Sequence, residues 1–265
     1  MRAMIPKEHG AWAVLYVPML VAAGLAGGPT WNVLLLALSA LGVFMSYVQM
    51  HMLLRHVMVI PLPREQLRGA VVWSVVYGAF GVVFIVPLLM QSYWLLLVLG
   101  IPGVAAYVLK FLLTRRSPKT VASDMVAVFG LSLSALCSWY VVTGVLDEQA
   151  VIVWMLNLLF FWCGVVYVHM KLRAAATKVS GLSRSNAWSL AKLNVLYHLA
   201  VIMIVAALAW YRTSTLSLVI AFVPMTAHAL YGTYKLTRRV AFRRLGFLLL
   251  AHSIVFAVLL WRTWQ

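Results

Sequence analysis

The chain is 265 residues long, 65% hydrophobic and only 10% charged, yet it carries 21 lysines and arginines against five acids, a formal charge of +16. So apolar a composition excludes a soluble globular domain and reads as a polytopic membrane protein. Nucleic-acid binding is excluded as the reason for the charge, because no soluble basic module is left to carry it.

A bilayer core is crossed by roughly 20 apolar residues in α-helix. Nine such runs occur, at about 10–27, 32–54, 69–90, 93–113, 121–145, 149–170, 190–211, 214–235 and 243–263. They are Leu/Val/Ala-rich and of helical length, without the alternation of barrel strands, so the expected fold is all-α. The whole of 1–265 is then one integral membrane domain. With the N-terminus inside, 19 of the 21 bases fall at the inner ends of the helices, and only Arg212 and Arg262 lie outside. The expected arrangement is a multipass protein of the bacterial inner membrane, N-terminus in the cytoplasm and C-terminus outside. Membrane lipid is the first expected partner, since clustered bases attract anionic headgroups.

In chain order, the first run is entered through Pro6-Lys7-Glu8-His9-Gly10-Ala11-Trp12. Glu8 and His9 read either as a helix start, with the acid at the positive end of the dipole, or as a functional polar cluster at the membrane entrance. No removable signal sequence is expected before this run. Gly24 and Gly28 have a small-xxx-small spacing, but Gly27-Gly28-Pro29 reads first as a turn.

The second run leaves through Tyr47, His51 and Arg55, an i, i+4, i+8 series on one face, with Gln49 in the same turns. An interfacial tyrosine and a snorkelling arginine would explain two of these; Gln49 and His51 favour a functional face. The fourth run ends in Tyr107, Lys110, Arg115 and Arg116, and Ser117-Pro118 is expected to start the fifth helix. Asp124 then lies inside that helix. It either complements the helix N-terminus or pairs with Arg116 or Lys119, or it is a functional carboxylate.

The sixth run leaves through Tyr167-Val168-His169-Met170-Lys171-Leu172-Arg173, echoing Tyr47-Val48-Gln49-Met50-His51 about 120 residues earlier. Leu113-Thr114-Arg115-Arg116 returns as Leu236-Thr237-Arg238-Arg239, 123 residues on. Two echoes at nearly one period predict a parallel 4+4+1 repeat, with halves 1–119 and 120–242 and a terminal helix 243–265.

Asn194 and His198 form an i, i+4 pair in the seventh run, and His228, Tyr231 and Lys235 share a face in the eighth. His252 in the ninth reads as a packed residue. Seven histidines with neither an HExxH pair nor an acid-rich ligand set predict no metal, and no cofactor motif occurs. Cys137 and Cys163 read as core residues; their depths differ by roughly a dozen ångström, which predicts no disulfide.

The N-terminal heptad, Asp124 after Arg116, Phe160-Phe161 with Tyr167-Val168 and Arg173, and Tyr197-His198 together resemble the YwiC-like family of bacterial integral membrane proteins. That likeness spans nearly the whole chain and implies no established activity. Nine helices in two four-helix halves also resemble the UbiA-type prenyltransferase architecture, in which Asp-rich motifs at two helix exits hold magnesium and diphosphate. Here those exits carry Gln49, His51, Arg55 and His169, Lys171, Arg173, with no carboxylate, so magnesium chemistry is not expected.

The function expected on this basis is binding of an anionic small molecule, phosphate-bearing or lipid-linked, in a cytoplasmic-side cavity. His51, Arg55, Lys110, Arg116, His169, Lys171 and Arg173 are its anion-binding candidates. Glu8, His9 and Asp124 are the acid/base candidates if the protein is an enzyme, whose activity would be a metal-independent transfer on a lipid or prenyl substrate. A small-anion transporter and a non-catalytic membrane partner are the alternatives, the first weakened by the lack of matched broken helices.

Overall fold

The structure is a computed structural model and describes residues 9–115, 120–177, 184–213, 216–237 and 240–264. Its helices are α1 (His9–Leu25), α2 (Trp31–Met58), α3 (Arg64–Met90), α4 (Leu95–Thr114), α5 (Val121–Ser132), α6 (Ser134–Thr143), α7 (Glu148–Ala176), α8 (Arg184–Thr213), the 3₁₀ segment η1 (Ser217–Phe222), α9 (Val223–Tyr234) and α10 (Phe242–Thr263). No strand occurs among the described residues. The all-α expectation therefore holds, and seven helical stretches among the described residues are long and apolar enough to cross a membrane, α5 and α6 counted as one; α1, at 17 residues, and α9, at 12, are shorter. The protein is a multipass membrane protein.

Short polar turns start and stop these helices. Thr30 caps α2 by accepting from the Val33 N–H at 3.4 Å, and the Asp147 carboxylate caps α7 by accepting from Ala150 N–H at 2.9 Å. Gly144, with φ of 79°, ends α6 in the left-handed conformation. Thr120, not Ser117, caps α5: Thr120 Oγ1 accepts from Ser123 N–H and Ser123 Oγ accepts from Thr120 N–H, a reciprocal box. Ser117 and Pro118 lie outside the described residues.

Two of the nine spans are interrupted, which the sequence reading does not anticipate. The fifth divides at Leu133 into α5 and α6, where serines offer the backbone other partners. Ser132 Oγ donates to Phe129 O at 3.0 Å and accepts from Trp154 Nε1–H at 3.1 Å, while Ser134 Oγ donates to Leu15 O of α1 at 2.7 Å. The eighth is η1 followed by α9, with a proline in the first turn of α9. Six 3₁₀ residues rising about 2 Å each and twelve α residues rising about 1.5 Å each reach about 30 Å, enough for the hydrocarbon core.

The core sits around α7, which packs on α1, α5, α6, α8 and α9. Its apolar stretch is 56% buried, against 11% for α3, whose Val71, Val75, Val82, Val83 and Val86 face outward. Such a surface suits lipid, not water. Phe160 of α7 stacks on Phe256 of α10, ring centroids 4.0 Å apart, with Phe222 edge-on to both.

Small residues let the outer helices approach. A Cβ at Gly42 of α2 would lie 2.5 Å from Gly81 N and 2.7 Å from Tyr77 O of α3, so the two backbones touch, and Ser39 Oγ donates across to Gly81 O at 2.9 Å. Gly24 receives the Trp261 indole of α10, whose Nε1–H donates to Val21 O at 3.2 Å. The spacing read as a turn is therefore both: Gly24 is a helix contact, and Gly27 and Gly28, with φ of 129° and 111°, form the turn.

Candidate functional site

Where α5 begins, its capping box holds the first turn against α7 and directs Asp124 toward the α7 exit. Asp124 Oδ2 lies 2.9 Å from His169 Nε2, with the histidine side chain 10% exposed and the carboxylate 29%. A buried imidazole beside a carboxylate takes its hydrogen on the facing nitrogen, so Nε2–H donates to Oδ2 and the ring is held in one orientation. The joint is reinforced two turns deeper on α7, where Trp162 Nε1–H donates to Met125 O at 2.9 Å.

His169 and Arg173 are one turn apart and so share a face of α7. That face borders a small half-open depression between α5, α7 and α8, with about 10 Å³ of room, enough for one water-sized group such as a hydroxyl, lined by Val121, Val166, His169, Met170, Arg173, Leu190, Leu193 and Asn194. Asn194 is completely buried. Its amide donates to Thr233 Oγ1 at 2.9 Å and to Ala229 O at 3.5 Å, while its Oδ1 has no partner. The sequence reading notes Asn194 as polar but does not place it in the site. Its signal, a carboxamide within a membrane helix one turn before a histidine, was present; its proximity to Arg173 belongs to the packing of α8 on α7.

Lys171 is two residues from both His169 and Arg173 and therefore points to the other side of α7. Its Nζ donates to Gly232 O of α9 at 2.7 Å and lies 5.4 Å from the Tyr167 ring centroid. Tyr167 stands edge-on to His228, and His228 lies 4.8 Å from His252 of α10, whose Nδ1 is 2.7 Å from Leu248 O. His198 Nδ1 is 2.8 Å from Asn194 O.

The α2 and α4 exits make a separate aromatic group. Tyr47 stacks with His51 and stands edge-on to Tyr107; His51 stands edge-on to Phe111; Lys110 Nζ lies 5.3 Å over the Tyr47 ring. Arg55 is exposed in the last turn of α2. Glu8 and Arg116 lie outside the described residues, and of His9 only the backbone, opening α1, is described. Of the residues expected to line one cavity, the structure thus brings Asp124, His169 and Arg173 together, groups His51 with Lys110 elsewhere, and sends Lys171 to α9. The reason is angular: a helix exit rich in bases presents successive residues about 100° apart, and different neighbours take each face.

Among the described residues, no group of three or more His, Cys, Asp or Glu side chains is placed to hold a metal ion. What the α5/α7/α8 corner offers chemically is a guanidinium and a carboxylate-oriented imidazole beside apolar walls.

Comparison with known proteins gives a family and two relatives. The family model described as YwiC-like protein matches residues 5–139. A Bacillus subtilis protein described as "Uncharacterized protein YwiC" is 24% identical over 65% of this chain and 69% of its own length. A Haemophilus influenzae protein described as "Uncharacterized protein" is 25% identical over 98% of both chains. No solved structure matches the chain, so the UbiA-type likeness gains no support from comparison of folds.

Proposed function

This chain belongs to the YwiC-like family, and from that premise we propose that it binds an anionic, phosphate-bearing or lipid-linked, small molecule at the corner between α5, α7 and α8. The observation that carries the reading is Asp124 at 2.9 Å from His169, one turn from Arg173 at the rim of the depression. Arg173 is the primary anion ligand, suited to a planar, two-point grip on phosphate. His169, oriented by Asp124, is the second. His51, Arg55, Lys110, Arg116 and Lys171 supply attraction toward the same membrane face. If the bound molecule is also transformed, Asp124 and His169 are the acid/base pair, and Glu8 and His9 remain the further acid/base candidates of the sequence.

The protein lies in the inner membrane with its N-terminus in the cytoplasm, as the positive-inside distribution favours. Reporter fusions test this: those after Arg115 and Lys235 read cytoplasmic, and one after Glu148 reads external. A cytoplasmic reading after Glu148 overturns the arrangement.

The binding test uses the full chain in phosphatidylcholine nanodiscs and an anionic lipid spin label. Immobilised label is expected with the wild type and lost with Arg173→Ala, while the variant still inserts and elutes as a single species. Equal immobilisation by both proteins overturns the assignment. The interrupted spans α5/α6 and η1/α9 favour a second reading, movement of the anion across the bilayer, because a break frees backbone groups inside a helix bundle. Uptake of labelled phosphate into proteoliposomes decides between them.

A further inference from the structure

Asn194 Oδ1 is the feature that the proposed anion site does not yet use. In a fully buried carboxamide an acceptor without a partner is destabilising, and here it persists on the wall of a depression whose rim carries a guanidinium. The orientation of the carboxamide is set by its neighbour: Thr233 Oγ1 gives its hydrogen to Ala229 O at 2.9 Å, so it accepts from the Asn194 amide and leaves the oxygen turned away. A ligand filling this place must therefore bring a hydrogen-bond donor.

Two further observations narrow the class. Arg173 is the one lysine or arginine among the described residues lining the depression, which suits a singly charged phosphodiester better than a diphosphate. Apart from Arg173, His169 and Asn194 the wall is apolar, made by Val121, Val166, Met170, Leu190 and Leu193, which suits a ligand whose charged head continues into hydrocarbon. Resting on the anion-binding reading above, we infer that the site takes a phosphodiester lipid headgroup bearing a free hydroxyl, with Arg173 on the phosphate and Asn194 accepting from the hydroxyl. Asn194 is then the specificity-determining residue. Met170, a flexible side chain on the same wall whose Sδ lies 3.4 Å from Thr233 Oγ1, is the wall element that gives way as the hydroxyl reaches Oδ1.

The test compares three probes on the full chain in phosphatidylcholine nanodiscs, read by native mass spectrometry. They are phosphatidylglycerol, phosphatidylmethanol, which has the same charge and no hydroxyl, and soluble glycerophosphoglycerol, which has the headgroup and no acyl chains. The wild type is expected to retain phosphatidylglycerol at least tenfold more tightly than either other probe. Asn194→Leu is expected to bring phosphatidylglycerol down to phosphatidylmethanol, and Arg173→Ala to lose both. Equal retention of the two lipids by the wild type overturns the hydroxyl assignment while leaving the anion site standing, and needs no variant to fold. Retention of the soluble headgroup as tightly as the lipid overturns the membrane source. If no probe shows a dependence on Arg173, the anion-binding reading itself fails.

Discussion

Two helix exits with nearly the same sequence have different surroundings. Tyr47-Val48-Gln49-Met50-His51 lies near the end of α2, which continues to Met58, and Tyr167-Val168-His169-Met170-Lys171 lies near the end of α7, which continues to Ala176. In both, the residue between Val and Met is buried: Gln49 at 1% and His169 at 8% exposure. At α7 that position meets a carboxylate from α5, with a guanidinium one turn on; at α2 the neighbouring His51 packs on Phe111 and Tyr47, and the nearby charge, Lys110, sits over an aromatic ring. Local sequence supplies the same polar turn twice, and the neighbouring helix decides whether it becomes an ionic site or an aromatic one.

Substitutions at the two exits and in the core behind them test this contrast. The largest effect is expected in the core behind the α7 exit: Phe160→Ala removes the ring stacked between α7 and α10 and should cost about 3–5 kcal/mol, read as a lower midpoint in SDS titration of the detergent-solubilised protein. Val75→Ala on α3, 64% exposed, should stay within about 0.5 kcal/mol in the same titration.

Next comes the charge difference. Arg173→Ala should weaken anion binding by about 10- to 150-fold, the worth of a charged hydrogen bond of ~1.5–3 kcal/mol, whereas Arg55→Ala at the α2 exit should change it less than about threefold. Equal losses from the two would mean that both exits form one site. Asp124→Asn keeps a hydrogen-bonding partner for His169 but removes the charge; it should lower stability by about 1–2 kcal/mol, leave anion binding within about threefold, and abolish any turnover. Loss of binding on that change would make the carboxylate a ligand-site residue in its own right. The smallest effect is expected from Lys110→Gln, which gives up one cation–π contact worth about 0.5–1 kcal/mol at the α2/α4 group and should leave binding unchanged.

What residue type alone determines follows from the bilayer acting as a solvent. A chain 65% hydrophobic has to bury its backbone polar groups within helices, so the nine apolar runs, the all-α class and the approximate ends of each helix were legible from residue type alone. The polar character of the α2 and α7 exits was legible too, because a histidine or glutamine within a membrane helix stands out from its neighbours. Asp124 was a candidate for the same reason.

Which polar residues meet was decided only in three dimensions. The sequence carries no term for the rotation of α7 that turns His169 and Arg173 toward α5 and α8 while sending Lys171 to Gly232 of α9. Nor does it mark Asn194 as a neighbour of Arg173, since that proximity depends on how closely α8 lies on α7, or distinguish Gly24 as the seat of Trp261 from Gly28 as part of a turn. The interruption at Leu133 arises in the same way, from Ser134 finding a carbonyl on α1, 119 positions earlier in the chain. Hydrophobicity sets where a helix lies along the membrane normal; it leaves the rotation of each helix about its axis nearly free, and that rotation is settled by side-chain packing and by hydrogen bonds between distant segments.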